Sequence, residues 1–273
     1  MRSTPFFFFV FLGQCLWAQV AVTETPLSFW VNETSGLERF GDQWVTHNDS
    51  GGTPTLYFFD DRGKVTEKKQ LASLSNRDWE DITADETHYY IADTGNNFGN
   101  RQDLVIYQVH KKFWTTKTIQ ISYGAQQNFD KKSKHPFDAE ALVHYQGRLL
   151  LFSKNREDQS TQLYWVDKTK PKQVLKPLTS WAVGSLITGA DYDPKSNTLA
   201  LTGYGFDGVQ YLYVVSHWNA DQPQKAPIQK FVIPVGKAQI EAVKIDTPRS
   251  FWVTTEMAGI NGPKLMHLTL DPL

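Results

Sequence analysis

The chain has 273 residues, 28 Lys and Arg against 29 Asp and Glu for a net charge of −1, and is 40% hydrophobic and 14% aromatic. That length and apolar content suffice for a large core, and a near-neutral balance without basic runs excludes the electrostatic footprint of a nucleic-acid or anionic-membrane binder. One cysteine, Cys15, excludes a disulfide framework within the chain.

Residues 1–18 read as a secretory signal peptide. Arg2 precedes an apolar stretch from Phe6 to Ala18 that is too short to span a bilayer, and Ala18, with Ala21 second, offers the small residue a cleavage site needs. LGQC (12–15) offers the alternative of a lipid anchor at Cys15, against which the bulk of Gln14 stands. The expectation is export, to the periplasm or the exterior, of residues 19–273 as a single monomeric domain without a transmembrane segment. A strand-like segment, PLSFWVNE (26–33), comes next.

From Ser35 the chain repeats itself, and such a period decides the architecture. Five units start at Ser35, Glu80, Glu140, Thr188 and Glu241, spaced 45, 60, 48 and 53 residues apart, each a polar residue followed by a small or polar one and then mostly by an apolar one. A second apolar run ends each time in a loop rich in Asn, Asp, Ser, Thr or Gly: QWVTHND (43–49), HYYIADTG (88–95), RLLLFSKN (148–155), TLALTGYG (198–205) and FWVTTEMAG (251–259). A third run carries Leu56, Leu104, Leu163, Leu212 and Leu265, at offsets of 21, 24, 23, 24 and 24 from the starts. Runs of this length, β-branched and aromatic and bounded by turn residues, are strands.

A fourth, more polar strand fits in four units, as VTEKKQLA (65–72), TTKTIQIS (115–122), KQVLKPLT (172–179) and IQKFVIPV (228–235), but the fifth unit ends after its third. An unpaired edge invites aggregation, so residues 26–33 are expected to complete the last sheet and close a ring. The fold expected is an all-β, five-bladed β-propeller, with six blades as the alternative.

The segments SGLERF, DWEDITADETHYYIADTGNNFGN, DAEALV, ITGADYDPKSNTLALTGY and IEAV resemble exported β-propeller proteins of Bacteroidota-type bacteria, which implies fold and export but no activity. More distantly, the acid-small-apolar strand starts are similar to the SdiA-regulated and gluconolactonase-like propellers, a resemblance that implies channel-facing acids holding calcium.

First strands line a propeller's channel, so Glu80, Glu140 and Glu241 are expected on one ring, with Ser35 and Thr188 in the other two places and Glu38, Asp81, Asp138 and Asp191 on adjacent levels. Carboxylates about 4 Å apart repel by about 4 kcal/mol at an effective dielectric near 20, so such a ring calls for a cation, basic partners or shifted pKa values. Oxygen-only donors favour calcium or magnesium over zinc, with Ca2+ the cofactor expected, which makes Glu80, Glu140, Glu241, Asp81 and Asp191 the candidate metal ligands. Capping of backbone amides at strand starts is the alternative role. A second ring of ligand-facing loop residues comprises Asn48, Asp49, Asp93, Asn96, Asn155, Arg156 and Glu256, residue types that tight turns also require. These features support two functions: a module binding a small molecule, glycan or protein, or a metal-dependent hydrolase of a small ester, lactone or phosphoester. Fold alone does not choose between them.

Overall fold

The computed structural model describes residues 19–271 except Ala226, Lys237 and Gly259. The expected signal segment, with Cys15, lies outside the described residues. Strand β1 (Val20–Pro26) precedes the repeats. Blade 1 comprises β2 (Thr34–Phe40), β3 (Gln43–Asn48), β4 (Thr55–Phe59) and β5 (Val65–Gln70), and blade 2 comprises β6 (Trp79–Ala84), β7 (His88–Asp93), β8 (Val105–His110) and β9 (Thr116–Tyr123). Blade 3 runs through β10 (Ala139–Tyr145), β11 (Arg148–Ser153) and β12 (Thr161–Val166) and, after β13 (Lys172–Leu175), β14 (Pro177–Trp181). Blade 4 is β15 (Leu186–Asp193), β16 (Thr198–Tyr204), β17 (Gln210–Ser216) and β18 (Ile228–Ile233), and blade 5 contains β19 (Ile240–Thr247), β20 (Ser250–Thr255) and β21 (Lys264–Leu270).

These sheets form a five-bladed β-propeller, so the six-bladed alternative does not arise. The first strands β2, β6, β10, β15 and β19 pack side by side around the axis, with β19 returning onto β2. Each blade is covered on both faces, which is why its strands read as unbroken apolar runs rather than alternations. Leu149, Leu150, Leu151 and Phe152 are all fully buried, Leu149 and Leu151 toward blade 2, Leu150 and Phe152 toward blade 4. Five apolar clusters result, one at each interface between neighbouring blades.

Two expected strands differ. The ring closes through β1, which pairs antiparallel with β21 from Val20 opposite Leu270 to Pro26 opposite Lys264, and not through residues 26–33. Within that segment Ser28 accepts a hydrogen bond from the Trp30 amide and starts a 3-10 turn over Phe29–Val31, which buries Val31 alone. Apolar content suggested a strand there, but the serine hydroxyl offers the backbone a local alternative and Pro26 lacks a ladder donor. The segment 172–179 splits at Pro177. Its first half, β13, lies parallel on β9 of blade 2, burying Leu175, and its second half, β14, completes blade 3 across a register shift at Pro177.

Every first strand carries a β-bulge at the repeat start. Glu80, Glu140, Thr188 and Glu241 are each the unpaired residue, and in blade 1 the shift falls between Ser35 and Glu38, with Gly36 at φ +71° against the backbone of Ile82. A bulge re-aims the side chain of the extra residue, here toward one mouth of the channel. Two starts stitch blades instead: the Ser35 hydroxyl donates to the Glu80 carbonyl and that of Thr188 to the Ile240 carbonyl.

Candidate functional site

The three bulge glutamates are almost wholly enclosed, with exposures of 5% for Glu80, 3% for Glu140 and 4% for Glu241. Beside them, the residues that leave the second strands form another ring, because Asp49, Lys154 and Glu256 each donate a backbone N–H to the carbonyl two residues before the bulge position, those of Glu33, Asp138 and Gln239. Tyr204 occupies the same place in blade 4, ending β16 opposite Leu186.

The carboxylates divide by what they meet. Asp49, Asp78 and Glu80 form one trio whose oxygens lie within 4.8 Å of one another, and Glu80, Asp138 and Glu140 form a second that shares Glu80. The second trio carries its own cations: Lys154 bonds Glu140, and Arg156 bonds Asp138 at 2.9 Å, reaches Glu140 at 3.4 Å and bonds Asn97. Among the described residues the first trio has no such ion-pair partner, although Lys154 and Arg101 act on it from farther off. Burial, and then the charges of Glu140, Asp49, Asp78 and Asp138, hold the Glu80 carboxyl well above the usual range. Burial with Asp78 and Glu241 pushes Asp49 up to about 8, burial with Asp138 pushes Asp78 up to about 6, and burial with Glu241 and Asp49 pushes Glu256 up to about 8. Protons or a cation relieve such a cluster.

Gly95 makes the crowding feasible. A Cβ there would overlap Glu80 Oε1 and Asp78 Oδ2, so only glycine lets both carboxylates press against this turn of the chain.

The other expected residues are placed as follows. Glu241 belongs to neither trio; its Oε1 is buried without a hydrogen-bond partner, and Lys154 is the strongest charge acting on it. Asp81 and Asp191 lie away from the trios and tie blades together. Asp81 accepts the amides of Ile82 and of Leu142 in blade 3, and Asp191 accepts that of Ile245 in blade 5. Lys244 bridges Asp191 at 2.9 Å and Glu38 at 2.8 Å, so that level of the channel supplies its own cation. Of the loop residues, Asp49, Arg156 and Glu256 reach the acidic mouth. Asn48 donates to the Trp30 carbonyl, Asp93 pairs with Arg101 at 2.7 Å, Asn96 ties its loop to Phe137 and Asp138, and Asn155 closes a turn with Glu157 and Ser160.

Asp78 was not singled out by sequence reasoning, although a signal was present. Asp78-Trp79-Glu80 and Asp138-Ala139-Glu140 place the same acid two residues before the same bulge in consecutive repeats. Among the described residues each trio offers carboxylate oxygens alone, a donor set for a hard cation.

No protein-family model and no curated protein matches the chain by sequence. Among solved structures it is similar to the PQQ-bound aldose sugar dehydrogenase of Streptomyces coelicolor, at 11% identity and a TM-score of 0.52 over 93% of this chain and 99% of that one. A DUF4623 family protein of Bacteroides eggerthii follows at 11% identity and a TM-score of 0.47, over 93% of this chain and 76% of that one. At such identities the likeness shows the fold alone. No helix among the described residues is long and apolar enough to cross a membrane.

Proposed function

We propose that the chain is an exported ligand-binding propeller whose acidic channel mouth holds one calcium ion at Asp49, Asp78 and Glu80. The observation that carries this reading is the asymmetry of the two trios. Lys154 and Arg156 neutralise the Asp138–Glu140 side, while the trio of Asp49, Asp78 and Glu80 converges without an ion-paired cation among the described residues. Glu80 is buried while Asp49 and Asp78 are half-buried, and like charges at this spacing, partly shielded from water, are costly unless a counter-charge sits among them. An all-oxygen set suits calcium, which takes six to eight oxygens, roughly, at about 2.3–2.6 Å. One trio does not fill that shell, so the ion supplies coordination positions for oxygens of a bound molecule, and the rigid blades hold the three carboxylates in place.

Titration calorimetry on residues 19–273 tests the reading. One calcium ion per chain is expected, with a melting temperature that rises with calcium and falls back with a chelator; at a hundredfold excess over Kd the gain is about 2.7 kcal/mol. Glu80→Gln, which keeps shape and removes the shared charge, abolishes both signals. Absence of calcium heat and of any shift in the wild-type chain overturns it.

A further inference from the structure

A cavity of about 470 Å3 opens beside the mouth in blade 5, with Val235, Ala238 and Met266 on its apolar side and Glu256, Asn261 and Lys264 on its polar side. Phe29, 71% exposed, stands next to Gly262 at its rim. Among the described lining residues Lys264 is paired with Glu24, and Glu256 is the one carboxyl that faces the cavity. Behind it lies Glu241, 4% exposed, with Oε1 lacking a hydrogen-bond partner. Burial, Glu241 and Asp49 together push Glu256 up to about 8, the behaviour of a carboxyl set among its own kind. The mouth's cations engage blade 3 directly through Glu140 and Asp138, and calcium at Asp49, Asp78 and Glu80 adds its charge on blades 1 and 2. Glu256 therefore holds its proton up to about pH 8 and gives it up to a cation seated on it, beside an apolar surface.

We propose that this cavity binds a small organic amine, its ammonium on Glu256 and its hydrocarbon part against Val235, Ala238 and Met266. The proposal rests on the reading of this mouth as a binding site and names the ligand class it takes. A charge-assisted N–H to carboxylate bond supplies orientation, and burial of the hydrocarbon supplies affinity that grows with each methylene.

The test compares phenethylamine with 2-phenylethanol, an uncharged probe of similar shape, by titration calorimetry on calcium-loaded residues 19–273. The amine is expected to bind at least tenfold more tightly than the alcohol, and Glu256→Gln, with folding checked by its melting temperature, is expected to erase that preference. Equal binding of the two probes, a preference that survives Glu256→Gln, or amine binding seen only after calcium is removed would overturn the proposal. Calcium titration of the same wild-type sample separates the two readings: a silent calcium titration with an intact amine preference sinks the metal site alone, and the reverse pattern sinks the amine site alone.

Discussion

Gly95 is the residue on which the proposed cation site depends most sharply. Its missing side chain lets Glu80 and Asp78 press against the turn after β7, so Gly95→Ala is expected to lower calcium affinity at least tenfold in calorimetry by displacing both carboxylates. The raised carboxyls also set a pH dependence. Asp49 and Glu256 titrate near 8 in the folded chain against ordinary values of 3.8 and 4.5, so between those limits the folded state holds protons that the unfolded state has released. The contribution of these two groups to stability is then fully present below about pH 4 and is lost as pH rises through 8. In chelator, melting temperatures are expected to decline from pH 5 to pH 9, and calcium to flatten the decline by stabilising the ionised forms. At this scale the sequence was legible in part. Glu80 and Glu140 stood out as one repeated position, but nothing in the chain distinguishes Glu140, which meets Lys154, from Glu80, which meets only acids.

At the scale of elements, the bulge in each first strand explains why the repeat start is the chemically active position. An extra residue without a ladder partner is free to turn toward the mouth, while its neighbours stay in register. Asp81, adjacent to one bulge, acts differently, since its carboxylate joins blade 2 to the Leu142 amide of blade 3. Asp81→Ala leaves that buried amide without an acceptor and is expected to cost about 1–3 kcal/mol in urea unfolding, with calcium affinity unchanged. Asp191 makes the corresponding bond to Ile245, a relation invisible in the sequence because Asp81 lies one residue after its repeat start and Asp191 three after Thr188. The strand pattern itself was readable wherever apolar runs were bounded by turns. It failed at 26–33 and 172–179, where Ser28 and Pro177 redirect the backbone without lowering the apolar content.

For the whole molecule, closure is the decisive event. β1 caps the β21 edge and joins the N-terminal segment to blade 5, so under the proposed export the position of cleavage has structural weight. Processing after Ala18 leaves β1 whole, whereas processing after Ala21 removes the partners of Leu270 and Thr269. If the chain is exported as proposed, N-terminal sequencing of the processed protein is expected to read from Gln19, and a chain starting at Leu27 is expected to aggregate through the bared β21 edge, as size-exclusion chromatography would show. The sequence by itself determined the all-β class, the five repeats and a ring that needs a borrowed strand, because periodic apolar runs and turn residues act locally and repeat along the chain. Only the tertiary structure decided which carboxylates meet. Asp49, Asp78 and Glu80 come from two blades, and their separation depends on how bulges and the turn at Gly95 aim side chains across the axis, a quantity that no spacing along one chain encodes.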